Sequence, residues 1–510
     1  MEKNNSWVLL IIVALASFII ALNCSFMNVA ISQLVIDLNT TVYAVQAIIS
    51  FYTLITASLI LVGAKLQDIF GKKKIFVLGA VLFAIGALIA ALSVSVPLLF
   101  LGWVILEGVG AALMTPGTVA IISEGYDGSK RTVGLSAISA LSGIAISIGP
   151  LFGGFFTSFF SWRYGFIFEL VIMIVVILFN SRIPAFKATK SKSNFDYLGA
   201  VLSVSGLVLL VSGILVLSSD IKLCIELIIL SIIVLLLFAF VEKRSADPLF
   251  DVRLLKDRNL SMSTVIRLIS FVIMSGALFT ITFYSQTVLG LTAFKTGLIL
   301  LPMTLGLLIF SVLSPKLINR FNHKTVMALG FIISLVGCII LSQQFVLDVT
   351  FLEIVPGMFL FGAGLGFPLS LEVEMALAYI PKESENTSSG FVTSSKNLGM
   401  SIGTAIIGII LILGAVGGMH QAVNTYAPEK VSNQQFHDDL HVYFEKLGNV
   451  DTASLRHDHS AKSEIVNFVI QKAMAIVMYV IAILLAIGLA LTLTLDDKIL
   501  RRKIKTLTNP

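Results

Sequence analysis

The sequence predicts an all-α polytopic membrane protein of the major two-bundle kind: two six-helix bundles with two extra helices between them. Three observations carry that expectation. The chain has 510 residues, 57% hydrophobic and 13% charged, with a mean hydropathy of +0.98, where a soluble domain carries roughly 25% charged residues. A water-soluble chain of this length must present far more polar surface. The apolar residues gather into runs long enough to cross a hydrocarbon core about 30 Å thick, which takes roughly 20 residues per helix. The basic residues, finally, are scattered over alternate short loops. That distribution belongs to membrane topology, so the net charge of +6 does not point to nucleic acid.

Spans are expected near 7–30, 43–64, 75–94, 97–121, 132–157, 163–181, 197–217, 221–241, 260–283, 296–314, 325–345, 351–379, 388–416 and 465–496. An even number puts both termini on one side. One set of loops holds KLQDIFGKKK, DGSKR, RIPAFKATKSKSN, VEKRSADPLFDVRLLKDRN, PKLINRFNHK and PKESEN, with the tail DDKILRRKIK on the same side. The opposite set, including ISQLVIDLNTT, SVSV, TSFFS and SQQFVLDVT, holds almost no Lys or Arg. The excess of Lys and Arg marks the cytoplasmic face. Both termini are therefore expected inside the cell, in a multi-pass plasma-membrane protein. No small-residue cleavage site follows the first apolar stretch, so it is expected to stay as a span. Cys24, Cys224 and Cys338 lie far apart in or beside apolar segments, without a disulfide framework or a CxxC pattern.

The halves echo each other. SPKLINRFNHKTV after the tenth span has the layout of GAKLQDIFGKKKIF after the second, with Asn319 where Asp68 stands. This gives an N-terminal bundle over 1–182, two inserted helices with cytoplasmic linkers over 183–259, and a C-terminal bundle over 260–510. The last unit includes an extracellular loop at 418–463 and a cytoplasmic tail at 497–510. Repeats of this kind place a substrate site between the halves near the midplane.

Particular residues then point to a family. Gly63, Asp68, Gly71, Lys72 and Lys73 resemble the loop signature of the major facilitator superfamily. GIAISIGPLFGG, with Gly143, Gly149, Pro150, Gly153 and Gly154, resembles its fifth-span antiporter motif. SWRYGFIF, DPLFDVRLLKDRN, YSQTVLGLTAFKTGLILLP and SSGFVTSSKNLGMSIG follow in the family's order. By pattern the chain resembles the fourteen-helix drug:proton antiporter branch, of the bacterial multidrug and quaternary-ammonium efflux type. The resemblance implies that Asp68 belongs to a latch closing the cytoplasmic side, and that the fifth span marks an exporter. In that branch the first span usually carries an Asp where this chain has Asn23, and the fourth an Arg where it has Val104.

Other carboxyls can take the titrating role. Glu107 lies roughly 15 Å into the fourth span and Glu169 roughly 10 Å past Trp162 in the sixth, at 1.5 Å per residue. Intramembrane acids are costly and tend to face a cavity or a partner. Glu107 shares a helical stripe with Gly110, Ala111, Met114 and Thr118, an adaptable surface suited to a cavity wall. Glu372 and Glu374 are about 200° apart around their helix, so at most one faces inward. Both are expected near the cytoplasmic end, where reaching water is cheap, and Arg267 is expected at that interface. The proton-coupling and substrate-cavity candidates are thus Glu107, Glu169, Asn23, Met114, Glu372 and Glu374.

The polar segment after Gly418 holds His420, His437, His441, His457 and His459. Ser432 and Gln435 can form a capping box, with Phe436, Leu440, Phe444 and Leu447 on one face. An amphipathic flap is expected there rather than a metal site. No GxxxxGK[ST], GxSxG or HExxH occurs, so neither an ATP-driven pump nor an enzyme is expected, and no cofactor or catalytic residue. The expectation is a secondary exporter that moves amphipathic, cationic drugs or toxic compounds out by alternating access, in exchange for protons. Its partners are the small-molecule substrate, protons and the lipid bilayer, and the chain is expected to be a monomer. The alternative is a divergent exporter of one endogenous lipid-like or peptide-like substrate, with unusual or no proton coupling.

Overall fold

The structure is a computed structural model and describes residues 7–126, 128–186, 195–218, 220–245, 247–318, 320–346, 349–377, 382–426 and 461–496. Fourteen helices among them are long and apolar enough to cross a membrane. They run Val8–Val29, Val42–Phe70, Lys72–Ala91, Val96–Gly125, Leu141–Phe159, Arg163–Arg182, Tyr197–Leu215, Ile221–Arg244, Arg258–Val288, Ala293–Leu317, His323–Ser342, Phe351–Ala376, Gly390–Ala415 and Asn467–Thr492. Each sequence-expected span has its helix. Several helix starts are polar and capped: Thr41 accepts from Ala44 N–H, Asp220 from Lys222 and Leu223, and Asp257 from Leu260. Such caps satisfy backbone donors that a helix leaves orphaned.

The stretch read as a loop around KLQDIFGKKK is helix almost throughout. The second helix continues to Phe70 and the third starts at Lys72, leaving only Gly71 between them. Gly71 has φ +96°, a backbone that side chains with a Cβ rarely adopt. One glycine therefore reverses the chain. For orientation, this end of the molecule is called the Gly71 end, and the opposite one the Asp37 end.

The two bundles meet along two seams. Gln46 Nε2 on the second span donates to the carbonyls of Thr404 and Ala405 on the thirteenth at 2.9 and 3.0 Å, and Ser401 Oγ donates to Ser50 O at 2.7 Å. On the other seam the fifth span lies against the tenth. The inserted pair packs outside the first seam, where Val211, Ile214 and Leu215 join Leu54, Ala405 and Ile409 in one apolar cluster. Ser231 Oγ donates to Gly206 O at 2.7 Å and holds the pair together. The eighth span carries mostly exposed Ile, Leu and Phe on its outer face. The linker behind it is tied down: Lys65 Nζ donates to Asp247 O at 2.9 Å, and Phe250 N–H to Glu242.

Candidate functional site

Asn23 brings the first, fourth and sixth spans to one point. Its amide Nδ2 donates to Glu107 Oε2 at 2.7 Å and to Glu169 Oε2 at 2.8 Å, while its Oδ1 accepts from Trp103 Nε1 at 2.7 Å. An indole N–H can only donate. Trp103 therefore decides which way round the Asn23 amide lies, and its NH₂ must face the two acids. All four side chains are buried, none more than 1% exposed. Tyr52 stacks on Trp103 with centroids 5.6 Å apart, and Phe166 meets the indole edge-on at 5.6 Å. The casing is aromatic and dry.

Local structure sets these positions. Phe100–Glu107 is a π-helical stretch of the fourth span, and it carries both Trp103 and Glu107 to Asn23. Such wide turns within α-helices concentrate at functional sites. Gly86 on the third span makes room, since a Cβ there would lie 2.7 Å from Glu107 N and 2.8 Å from its Cγ. Two carboxyls thus share one amide, and among the described residues no cation forms an ion pair with either. A charge left unpaired in hydrocarbon costs several kcal/mol. Two protons, or one proton and a cationic group brought in from outside, are what can balance the pair.

The departure at Asn23 now has a physical reason. A carboxylate at that position would accept only and would set a third acid against two others. Asn is the side chain that can bridge them. Val104, in the place of the family's Arg, is buried in the apolar core. Along the stripe shared with Glu107, Gly110 abuts the Gly79 carbonyl and Phe83, and Met114 packs on Gly79.

Arg267 and Glu372 correct a further expectation. Neither reaches the interface: Glu372 is fully buried, and Arg267 on the ninth span donates to its Oε2 at 3.3 Å. Burial with a partner replaces snorkelling, because a paired charge need not travel to water. Glu374 points away, half-exposed, with its Oε2 3.3 Å from His323 Nε2. The pair at 372 and 374 divides as the helical period requires.

At the Gly71 end, Gly63 admits the Ala112 carbonyl, which would stand 2.5 Å from a Cβ. Gln67 Nε2 donates to Leu113 O at 2.7 Å, and buried Lys72 pairs with Glu124 at the end of the fourth span. Asp68 sits half-buried in the last turn of its helix and Lys73 beside the turn. Glu124 was not singled out in the sequence, though its place one turn from a helix end was a signal. On the fifth span, a Cβ at Gly149 would overlap Ser25 Oγ, and one at Gly153 the Phe26 carbonyl. Gly154 abuts Ala293 O, and the Pro150 carbonyl would stand 2.7 Å from a Cβ on Gly297, both on the tenth span. Gly143 differs, with only Leu308 Cδ1 within reach, at 3.9 Å. One helix therefore seats the first span beside Asn23 and meets the second bundle. The helix of the thirteenth span runs on to Tyr426, so the loop expected from residue 418 starts later and His420 falls on helix. His437, His441, His457, His459 and Asn319 lie outside the described residues, and no cluster of metal-binding side chains occurs among those described.

Two bundles of apolar helices, with buried acids in one and a buried ion pair in the other, define a polytopic membrane protein with charged groups inside its spans. The model of the Major Facilitator Superfamily matches residues 13–404, and the chain belongs to that family. It is 25% identical over 415 residues to the puromycin resistance protein pur8 of Streptomyces alboniger, covering 80% of this chain and 82% of that one. It is 27% identical over 417 residues to the quinolone resistance protein NorB of Staphylococcus aureus, covering 80% and 89%. Among solved structures, the fold is shared with the peptide transporter POT at a TM-score of 0.57 and 16% identity, covering 96% of this chain and 95% of that one. A D-xylose–proton symporter gives 0.56 at 13% identity, covering 79% and 90%.

Proposed function

We propose that this protein exports amphipathic compounds carrying a positive charge, by alternating access and in exchange for protons. The Asn23–Glu107–Glu169 cluster is the exchange site. The carrying observation is the single amide shared by two buried acids without a cation. In the resting molecule protons neutralise both acids, and an arriving cation displaces one of them, so that one acid stays protonated and the other pairs with the cation. A membrane potential negative inside opposes cation export, so proton entry must compensate each charge that leaves. The resistance proteins of Streptomyces and Staphylococcus support the substrate class.

The rocking units are residues 1–182 and 260–510, with 183–259 as the inserted pair. Asp68, with Gly63, Gly71, Lys72 and Lys73, forms the latch at the Gly71 end. That end is cytoplasmic, since Lys72, Lys73, Lys74, Lys130, Arg131, Lys243, Arg244 and Lys324 gather there. The chain works as a monomer in the plasma membrane.

The test is export of an amphipathic cation against its gradient from proteoliposomes with an imposed pH difference. Glu107→Gln keeps the size and the hydrogen bond to Asn23 but cannot titrate. It is expected to abolish uphill export while equilibrium binding of a neutral amphiphile persists. Uphill export at the wild-type rate and pH dependence would remove Glu107 from the exchange site.

A further inference from the structure

Lys396, on the thirteenth span within SSKNLGMSIG, was passed over in the sequence. Its side chain is half-buried, and among the described residues no hydrogen bond or ion pair engages its ammonium. Its ammonium lies over the Phe271 ring, whose centroid is 5.7 Å from Nζ. Phe271 stands about 20 Å along the ninth helix from Arg258, at 1.5 Å per residue, well inside the molecule. A second cation shares that ring: the Arg267 guanidinium lies 5.1 Å from the same centroid. Arg267 spends one nitrogen on Glu372, but its Nε is buried without a partner. Two cations against one carboxylate leave this part of the C-terminal bundle one positive charge in excess.

The excess faces the other bundle. Lys396 and Cys24, next to Asn23 in the first span, lie within electrostatic range of each other. Buried cations without partners are expensive, and within a membrane they mark substrate or ion pathways. A ring attracts a cation through its quadrupole, but it cannot accept the charge-assisted hydrogen bonds that an anion in the same place would. Snorkelling does not account for the geometry, since the stem carries the ammonium onto a ring of the neighbouring helix.

We infer that Lys396 and the free Nε of Arg267 form a receptor for an acidic group on the substrate, a carboxylate in the simplest case, with Phe271 as its apolar floor. This rests on the export reading above and narrows the substrate to amphoteric molecules. The positive group goes to the acids of the first bundle and the negative one to the cations of the second. Such a molecule bridges the two bundles and couples its binding to their movement.

A matched pair of probes isolates the acidic group: a rhodamine with a free carboxylate and its methyl ester, which share the cationic ring system. Equilibrium binding is measured by fluorescence anisotropy on the full-length protein in detergent. Wild type is expected to bind the free acid about tenfold more tightly than the ester, the value of one charge-assisted hydrogen bond. Lys396→Gln removes that preference and leaves ester affinity unchanged, and Lys396→Arg keeps most of it. Equal binding of acid and ester by wild type, which needs no variant, would overturn the inference. So would a preference that survives Lys396→Gln. Counterflow of the ester in liposomes separates the two readings. Failure of all transport with the acid preference intact sinks the export reading and leaves the carboxylate receptor standing.

Discussion

Asn23 shows what a single residue decides. Compared with the family pattern it is a loss, since a titratable position has become an amide. In the structure its amide hydrogen-bonds to Glu107, Glu169 and Trp103 at once. Glu107, Glu169 and Asn23 were all legible as individual candidates, from depth along helices and from the family comparison. Their meeting was not, because three helices of unknown rotation can be combined in many ways. Trp103 was missed because an indole in an apolar run reads as core. Two variants test its role and that of the bridge. Trp103→Phe removes the N–H together with one ring of the indole. It strands Asn23 Oδ1, a cost of about 1–3 kcal/mol, and adds that of a cavity, read together as a lower melting temperature in detergent. Asn23→Asp sets a third acid among two and should lower it further. Unchanged melting of both would mean that the cluster does not hold the three helices together.

At the scale of one helix, the fifth span separates glycines that look alike in sequence. Gly149, Gly153 and Gly154 meet backbone or Ser25 at distances that no Cβ tolerates, whereas Gly143 faces a loosely placed Leu308. Glycine spacing revealed the motif but not which positions carry contact, since that depends on what stands opposite. Gly149→Ala should lower stability and transport together by pushing the first span, and with it Asn23, off its seat. An overpacked site of this kind costs about 1–3 kcal/mol. Gly143→Ala should leave both near wild type. Equal behaviour of the two variants would dissolve the distinction. The reversal at Gly71 makes the same point: its lysines were read as loop, but one glycine at φ +96° lets helix run to either side.

For the whole molecule, fourteen helices, two bundles and the inserted pair were all legible, because hydropathy over twenty residues is a strong signal and loop charge a consistent one. Contacts between the bundles were not, being made by single polar side chains such as Gln46 and Gln286. At the Asp37 end Gln286 reaches across, donating to Val29 O and accepting from Ser32 N–H at 3.3 Å. Gln286→Leu removes both bonds, about 1 kcal/mol each. In a chain with Cys224→Ser and Cys338→Ser, it should speed labelling of Cys24 from that end about thirtyfold. An unchanged rate would mean that Gln286 does not hold the bundles closed.

The central claim is that one buried acid pair exchanges a proton for a cation. Protein in detergent, in lightly buffered solution with a pH dye, is mixed with a saturating amphipathic cation that does not itself titrate. Wild type should release about one proton per chain as the cation binds, since a charge entering so dry a site must displace one. The doubly substituted Glu107→Gln, Glu169→Gln protein should release none. Binding without proton release by wild type, or the same release by the double variant, would contradict the account.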